Sequence, residues 1–270
     1  MGGTESQLPS NIFMEMASET RCEILKMLYE KPTHATKIAI ALKLTKQEAY
    51  RNTTRLVQVG LVKKNVDGLF SLTEYGTAVT NQFSFFLFFE KHKKFFENHS
   101  LKSLPQKFVA RLGELENTEL ITSVANVLER LKQIESGAKE YRKSIFTQGF
   151  KELGQITLNS LMNKVTIKGL VSKQSVIPDE LYQWFGKQIL KLSSLKNNLE
   201  LRQIEKFGVA VDITEGPCAV FFPNKNEQVN MNSMFVGNNE SVRVWCNDVF
   251  DYYWGSSKPF KNKFLKIQVD

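Results

Sequence analysis

Gln47 and Arg51 stand four residues apart in the stretch TKQEAYRNTTRLVQVG, residues 45–60, and share one face of any helix formed there. Each can make two parallel hydrogen bonds to a planar partner. A glutamine amide matches the major-groove edge of adenine, and a guanidinium matches that of guanine. Around them, Lys43, Thr45, Lys46 and Thr54 are of types that suit phosphate oxygens, Tyr50 can meet a phosphate or a thymine methyl, and Arg55 is another long cation. Ala49, Thr53, Leu56 and Val57 supply the apolar face by which such a helix packs. The chemistry implied is contact with double-stranded DNA, through base edges at the centre and phosphates at the rim.

Charge is concentrated at the same place. The 270-residue chain has a formal net charge of +8 and a pI near 9.2. Between Ala35 and Lys64 the basic residues Lys37, Lys43, Lys46, Arg51, Arg55, Lys63 and Lys64 are opposed by Glu48 alone. A basic field so localised favours an anionic partner more than the net charge does.

The elements needed to present this face can be read around it. Ser18 is an N-cap for a helix carrying Ile24, Leu25 and Leu28, which Pro32 stops. Thr36 opens a second short helix, and Lys43-Leu44 makes the turn. Thr45 with Glu48 three residues on has the form of a capping box, and Gly60 sits at the C′ position. Leu61 and Val62 then begin a strand, Asp67-Gly68 signals a two-residue hairpin turn, and Leu69 to Leu72 return. Three helices followed by a hairpin predict a winged helix-turn-helix, with Lys63 and Lys64 on the wing. Residues 1–10 are small and polar and are expected to fray.

A further helix is expected from Thr73 to about Asn98. Its phenylalanine-rich run FSFFLFFEKHKKFF fits burial against the first domain, or a dimer seam through Phe83, Phe86 and Leu87. NHSLKSLPQKF breaks it and reads as a linker, giving domains over 1–98 and 99–270. Leu120, Val124, Val127, Leu131, Ile134, Ala138, Tyr141 and Ile145 then alternate spacings of four and three. That rhythm fits a coiled-coil seam, with Leu131 in the dimer contact, or an amphipathic helix of the second domain. Beyond it, strand-like KSIFTQ, KVTIKGLVSK, LELRQIE, GVAVDI, CAVFFP and SMFVG are interleaved with helical segments at 150–162 and 179–195 and at the closing SVRVWCNDVFDYYW. This is an α+β or α/β arrangement.

Signs of catalysis are few. His34, His92 and His99 have no Cys or carboxylate at metal-ligand spacing, and Cys22, Cys218 and Cys246 are too scattered for a metal site or a disulfide framework. His92 and Lys94 make a His-x-Lys pair, but the aspartate of a phosphodiesterase motif would fall at 99, where His stands. Walker, nucleophile-elbow and dinucleotide motifs are lacking. The expectation is a non-enzyme with no cofactor and no metal. The run Phe85 to Phe89 is far short of the roughly 20 residues of a membrane span, and the first residues hold no apolar stretch of signal-peptide length. A cytoplasmic protein without a membrane partner is expected.

The order LTKQEAYRNTTRLVQVGLVKK, then GLFSLTEYG, resembles archaeal winged-helix regulators. LPQKFVARLGEL, AKEYRKSIFTQ, LELRQIE and VRVWCNDVFDYYW extend the similarity to the methanogenesis regulatory protein family over nearly the whole chain. The resemblance implies a winged helix-turn-helix, a helical dimerisation region, and a C-terminal α/β domain of phospholipase-D-like fold without its catalytic pair. It further implies a homodimeric transcriptional regulator whose second domain senses a small molecule or protein effector. Two other readings fit the same residues: an architectural protein that coats DNA without a ligand, and a phosphodiesterase-like enzyme.

Overall fold

The computed structural model describes residues 10–191 and 197–260, which divide into two units at Ser84–Phe85. In the first unit, helix α1 (Ser10–Met16) precedes α2 (Glu19–Glu30), α3 (Ala35–Ala41) and α4 (Lys46–Gln58). A two-stranded antiparallel sheet of β1 (Val62–Lys64) and β2 (Phe70–Leu72) and a short α5 (Glu74–Thr80) follow. Local chemistry explains the boundaries. Ser18 caps α2 by accepting from Arg21 N–H. Lys43, in the turn between α3 and α4, has φ 55, and Gly60 ends α4 at φ 78. Ile24, Leu25, Ile38, Ala49, Leu56 and Leu61 are fully or almost fully buried and form one core.

The hairpin turn is longer than the expected two residues. Gly68 N–H donates to the Asn65 carbonyl and Asn65 N–H to the Leu69 carbonyl, so Val66, Asp67 and Gly68 form the loop. Gly68 takes the left-handed conformation, φ 77, that closes a three-residue turn. Asp-Gly marks the place correctly, but the glycine is the third loop residue. On the other side, Thr33 pairs with Phe70 and extends β2.

Helix α6 (Phe83–Phe96) moves the domain boundary from the expected 98/99 to 84/85. Phe83 belongs to the first core, but Phe88 is fully buried in the second, with Phe85, Phe89, Phe95 and Phe96 packed around it. The aromatic run therefore supplies hydrophobic mass to the unit that follows it. Helix α6 also has a non-helical His92.

The second unit continues through α7 (Gln106–Val109), a 3-10 turn at Leu112–Leu115, β3 (Glu119–Thr122), α8 (Val124–Gly137), β4 (Tyr141–Gln148), α9 (Lys151–Met162) and β5 (Thr166–Val176). Then come α10 (Asp179–Lys191), β6 (Leu199–Ile204), β7 (Ala210–Thr214), β8 (Cys218–Phe221), β9 (Ser233–Gly237), α11 (Glu240–Gly255) and β10 (Lys258–Pro259). The part of the expected 179–195 helix beyond Lys191 includes residues outside those described. The strands form an eight-stranded mixed sheet in the order β10-β6-β5-β4-β7-β8-β9-β3. Strands β4, β5 and β6 are parallel, each joined to the next through a helix, and the other pairings are antiparallel. Helix α11 inserts Trp245, fully buried, whose indole donates to the Phe108 carbonyl at 3.2 Å.

The heptad stripe does not form one helix. Leu120 lies in β3, Val124 to Ile134 in α8, and Tyr141 and Ile145 in β4. Ser123, at φ 75, turns the chain into α8, and Gly137 closes the helix before Ala138 becomes extended. A spacing of three and four is thus carried across two strands and the helix between them. Leu131 is 3 % exposed in the core of its own unit, and Phe83 is 7 % exposed in the first. Neither is available for the dimer contact expected of it. Phe86 (55 % exposed) and Leu87 (38 %) are.

Candidate nucleic-acid interface

Helix α4 folds with the two faces its sequence separates. Ala49, Thr53 and Leu56 are fully buried, and Val57 is half-buried. Lys46, Gln47, Tyr50, Arg51 and Arg55 are exposed, and Thr54 is half-buried. Its N-terminus is fixed by a reciprocal cap: Glu48 N–H donates to Thr45 Oγ1 at 3.2 Å, while Thr45 N–H donates to Glu48 Oε2 at 2.9 Å. The Thr45 hydroxyl also donates to Glu48 Oε2 at 2.7 Å. These side-chain and backbone hydrogen bonds from Thr45 hold the Glu48 carboxyl below the usual carboxylate range. The one acid in the basic stretch is therefore held at the helix start, where it also complements the helix dipole. The same bonds occupy the Thr45 hydroxyl, which has less to offer a phosphate than its residue type suggests.

Among the described residues, Lys43, Lys46, Arg51 and Lys63 form no ion pair. Lys64 leans from β1 toward α4, its ammonium 5.7 Å from the centroid of Tyr50 and the same distance from that of Phe70. The hairpin thus brings Lys64 beside Tyr50, on the exposed face of the helix. Charges left unpaired keep their hydration and their freedom to meet an external anion.

Arg55 departs from this set. Its Nε lies 2.8 and 2.9 Å from the two carboxylate oxygens of Glu15, which is 3 % exposed. Arg21 Nε reaches Glu15 Oε2 at 2.7 Å from the other side. Arg55 is therefore a brace between α4 and α1, a structural role that its residue type and place in the expected DNA contact did not reveal. Sequence reading missed Glu15 because nothing near it in the chain shows that it faces residues 21 and 55.

Of the possible catalytic residues, His92 is 6 % exposed and lies against Phe88 and Phe235, with ring centroids 5.1 and 4.8 Å away. Burial, and then the charge of Lys91, depress its basicity. Lys94, its His-x-Lys partner in sequence, is exposed. His99 stacks on Phe95 at 3.6 Å. Among the described residues no helix is long and apolar enough to cross a membrane.

Comparison with known proteins divides along the chain. The family described as the HVO_A0261 N-terminal domain matches residues 10–89. That match takes in the whole helix–hairpin unit. No curated protein matches the chain. Among solved structures it is similar to TrmBL2, described as an archaeal chromatin protein with a novel mode of DNA binding. The two share 14% identity over 85% of this chain and 88% of that one, with a TM-score of 0.43. It is also similar to Nuc, a phospholipase D family member from Salmonella typhimurium, at 10% identity over 54% of this chain and 100% of that one, TM-score 0.41. NucT from Helicobacter pylori matches at 12% identity over 53% and 99%, TM-score 0.40.

Proposed function

We propose that the chain is a sequence-specific DNA-binding transcriptional regulator. Its first unit acts as a winged helix-turn-helix, and its second unit acts as a sensor without catalytic activity. The observation that carries this reading is the exposed face of α4, with Gln47 and Arg51 at its centre and unpaired Lys43 and Lys46 beside them. In that arrangement α4 enters the major groove, and the hairpin carries Lys63 and Lys64 along the phosphate backbone. Gln47 and Arg51 read base edges, and the lysines add affinity that is blind to sequence.

Selection from a random duplex library at low salt tests the proposal. Enrichment of a defined motif is the expected result, and equal retention of all sequences would identify a coating protein instead. The double substitution Lys63→Ala/Lys64→Ala is expected to weaken all duplexes alike. It should also lower the slope of log affinity against log salt by about 2, because each phosphate contact releases about one counterion. An unchanged slope would remove the hairpin from the contact.

A twofold dimer would present two α4 helices roughly 34 Å apart, matching one turn of DNA. Phe86 and Leu87 are the exposed apolar residues of α6 that suit the seam. Phe86→Ser/Leu87→Ser is expected to shift the protein from dimer to monomer in sedimentation velocity, with its circular dichroism unchanged. A dimer of undiminished stability would place the contact elsewhere.

A further inference from the structure

The second unit holds a half-open cavity of about 440 Å³. That size falls within the usual range for small-molecule sites. Its walls are apolar and aromatic for the most part, with Phe146, Phe150, Phe185, Phe221, Leu201 and Met231 among them. Its charged lining is a triad from three elements: Glu135 of α8, Arg142 of β4 and Asp212 of β7. The sheet brings the last two together, since β4 and β7 pair Ser144 with Asp212 and Arg142 with Thr214. Residues 142, 144 and 212 therefore share one face of the sheet.

All of these polar groups are at least nine-tenths buried: Glu135 is 4 % exposed, Arg142 7 %, Ser144 3 % and Asp212 6 %. Arg142 donates to Glu135 Oε2 at 2.8 Å and to Thr157 Oγ1 at 3.1 Å. Among the described residues, Asp212 Oδ1, Ser144 Oγ and Arg142 Nε have no hydrogen-bond partner. Buried groups of this kind are rare, because a polar atom taken out of water and left unmet destabilises the fold. Two carboxyls also face a single guanidinium. Burial pushes both up, Glu135 the further, and the two carboxyls lie within hydrogen-bond reach of each other, an arrangement that favours a proton held between them.

We propose that this cavity binds a small amphiphile whose apolar, aromatic-sized body fills the pocket and whose protonated amine meets Asp212, Glu135 and Ser144. An ammonium has a positive charge to replace that proton and three donors, two of which answer Asp212 Oδ1 and Ser144 Oγ. A carboxylate head would add a third carboxyl group to the pocket. A hydroxyl head would satisfy hydrogen bonds but leave the second carboxyl dependent on its own proton. The free Arg142 Nε–H takes an acceptor carried beside the amine. Binding lets Glu135 ionise, so the proton it held is released to solvent.

The proposal deepens the reading of the second unit as a sensor, and its test is made by direct binding so that the two can fail separately. Calorimetry on the full chain at pH 7 compares 2-phenylethylamine, 2-phenylethanol and 3-phenylpropanoate, in two buffers of different protonation enthalpy. The amine is expected to bind at least tenfold more tightly than the alcohol, the acid not at all, with release of about one proton per amine. Asp212→Asn is expected to lose tenfold or more in amine affinity. Glu135→Gln, which keeps the neutral shape, is expected to lose affinity and the proton release together. Equal affinity for amine and alcohol, preference for the acid, or no binding heat from any probe to protein with intact circular dichroism would overturn it. If the amine binds as described but duplex affinity does not change, the sensor reading fails and this one stands.

Discussion

Arg51→Ala is expected to weaken the selected duplex by about 1–3 kcal/mol and to erase base preference at one position while leaving the neighbouring positions intact. The effect should be large because Arg51 is exposed and has no ion-pair partner among the described residues, so its whole hydrogen-bonding fork is available to a guanine edge. Arg55→Ala gives the contrast. Arg55 is on the same helix and has the same charge, but it is held by Glu15. Its removal is expected to lower the stability of the first unit by about 1–3 kcal/mol, as loss of a hydrogen bond to a charged group does, and to leave base preference unchanged. Two arginines four residues apart would then separate cleanly, one in the selected motif and one in the urea midpoint. If Arg51→Ala retains full base preference, α4 does not read sequence, and the regulator reading gives way to that of a coating protein.

How much of this was legible in the sequence depended on the range of the interactions involved. The ends of α4 are written locally: Thr45 and Glu48 cap one end, Gly60 closes the other, and each signal acts within a few residues. The strands β6 to β9 were legible as short apolar runs broken by turn residues. Periodicity failed between Leu120 and Ile145. There, alternation in two strands and helical spacing in α8 happen to join into a heptad-like series, and only the turns at Ser123 and Gly137 to Ala138 separate them. The phenylalanine-rich helix showed that it was hydrophobic on several sides, but not which core it would join. Pairings over long sequence separation left the least trace. Glu15 with Arg55 could not be foreseen, and Glu135, Arg142 and Asp212 come from three elements. Each of these three is visible only as a polar residue where the pattern calls for an apolar one. Asp212 stands inside VAVDI, Arg142 alternates with buried Ser144, and Glu135 follows Leu131 by one helical turn. An interrupted apolar pattern was therefore the signal for the cavity.

Arg142→Met makes the energetics of that cavity measurable. It removes the only cation among the described lining residues and leaves two buried carboxyls facing each other. Loss of one partner from a buried charge pair costs about 3–5 kcal/mol, and that is the expected loss in the second unit at pH 8. The loss should depend on pH in a definite direction. Burial holds Glu135 well above the usual carboxylate range and Asp212 above it, and Arg142 is what draws both back down. Without the guanidinium both rise further. A carboxyl whose folded value exceeds its unfolded one contributes its full stability below the unfolded value, and that contribution is lost as pH rises through the folded value. The gap between wild type and variant is therefore expected to be smaller at pH 5 and wider at pH 8 in urea unfolding followed by tryptophan fluorescence. The neutral triple variant Glu135→Gln/Arg142→Met/Asp212→Asn should recover much of the stability at pH 8, because it no longer buries an unpaired charge. A gap of the same size at both pH values would mean that the carboxyls are already hydrated in the folded protein. The cavity would then be an open, wet cleft with no charge imbalance for an amine to correct.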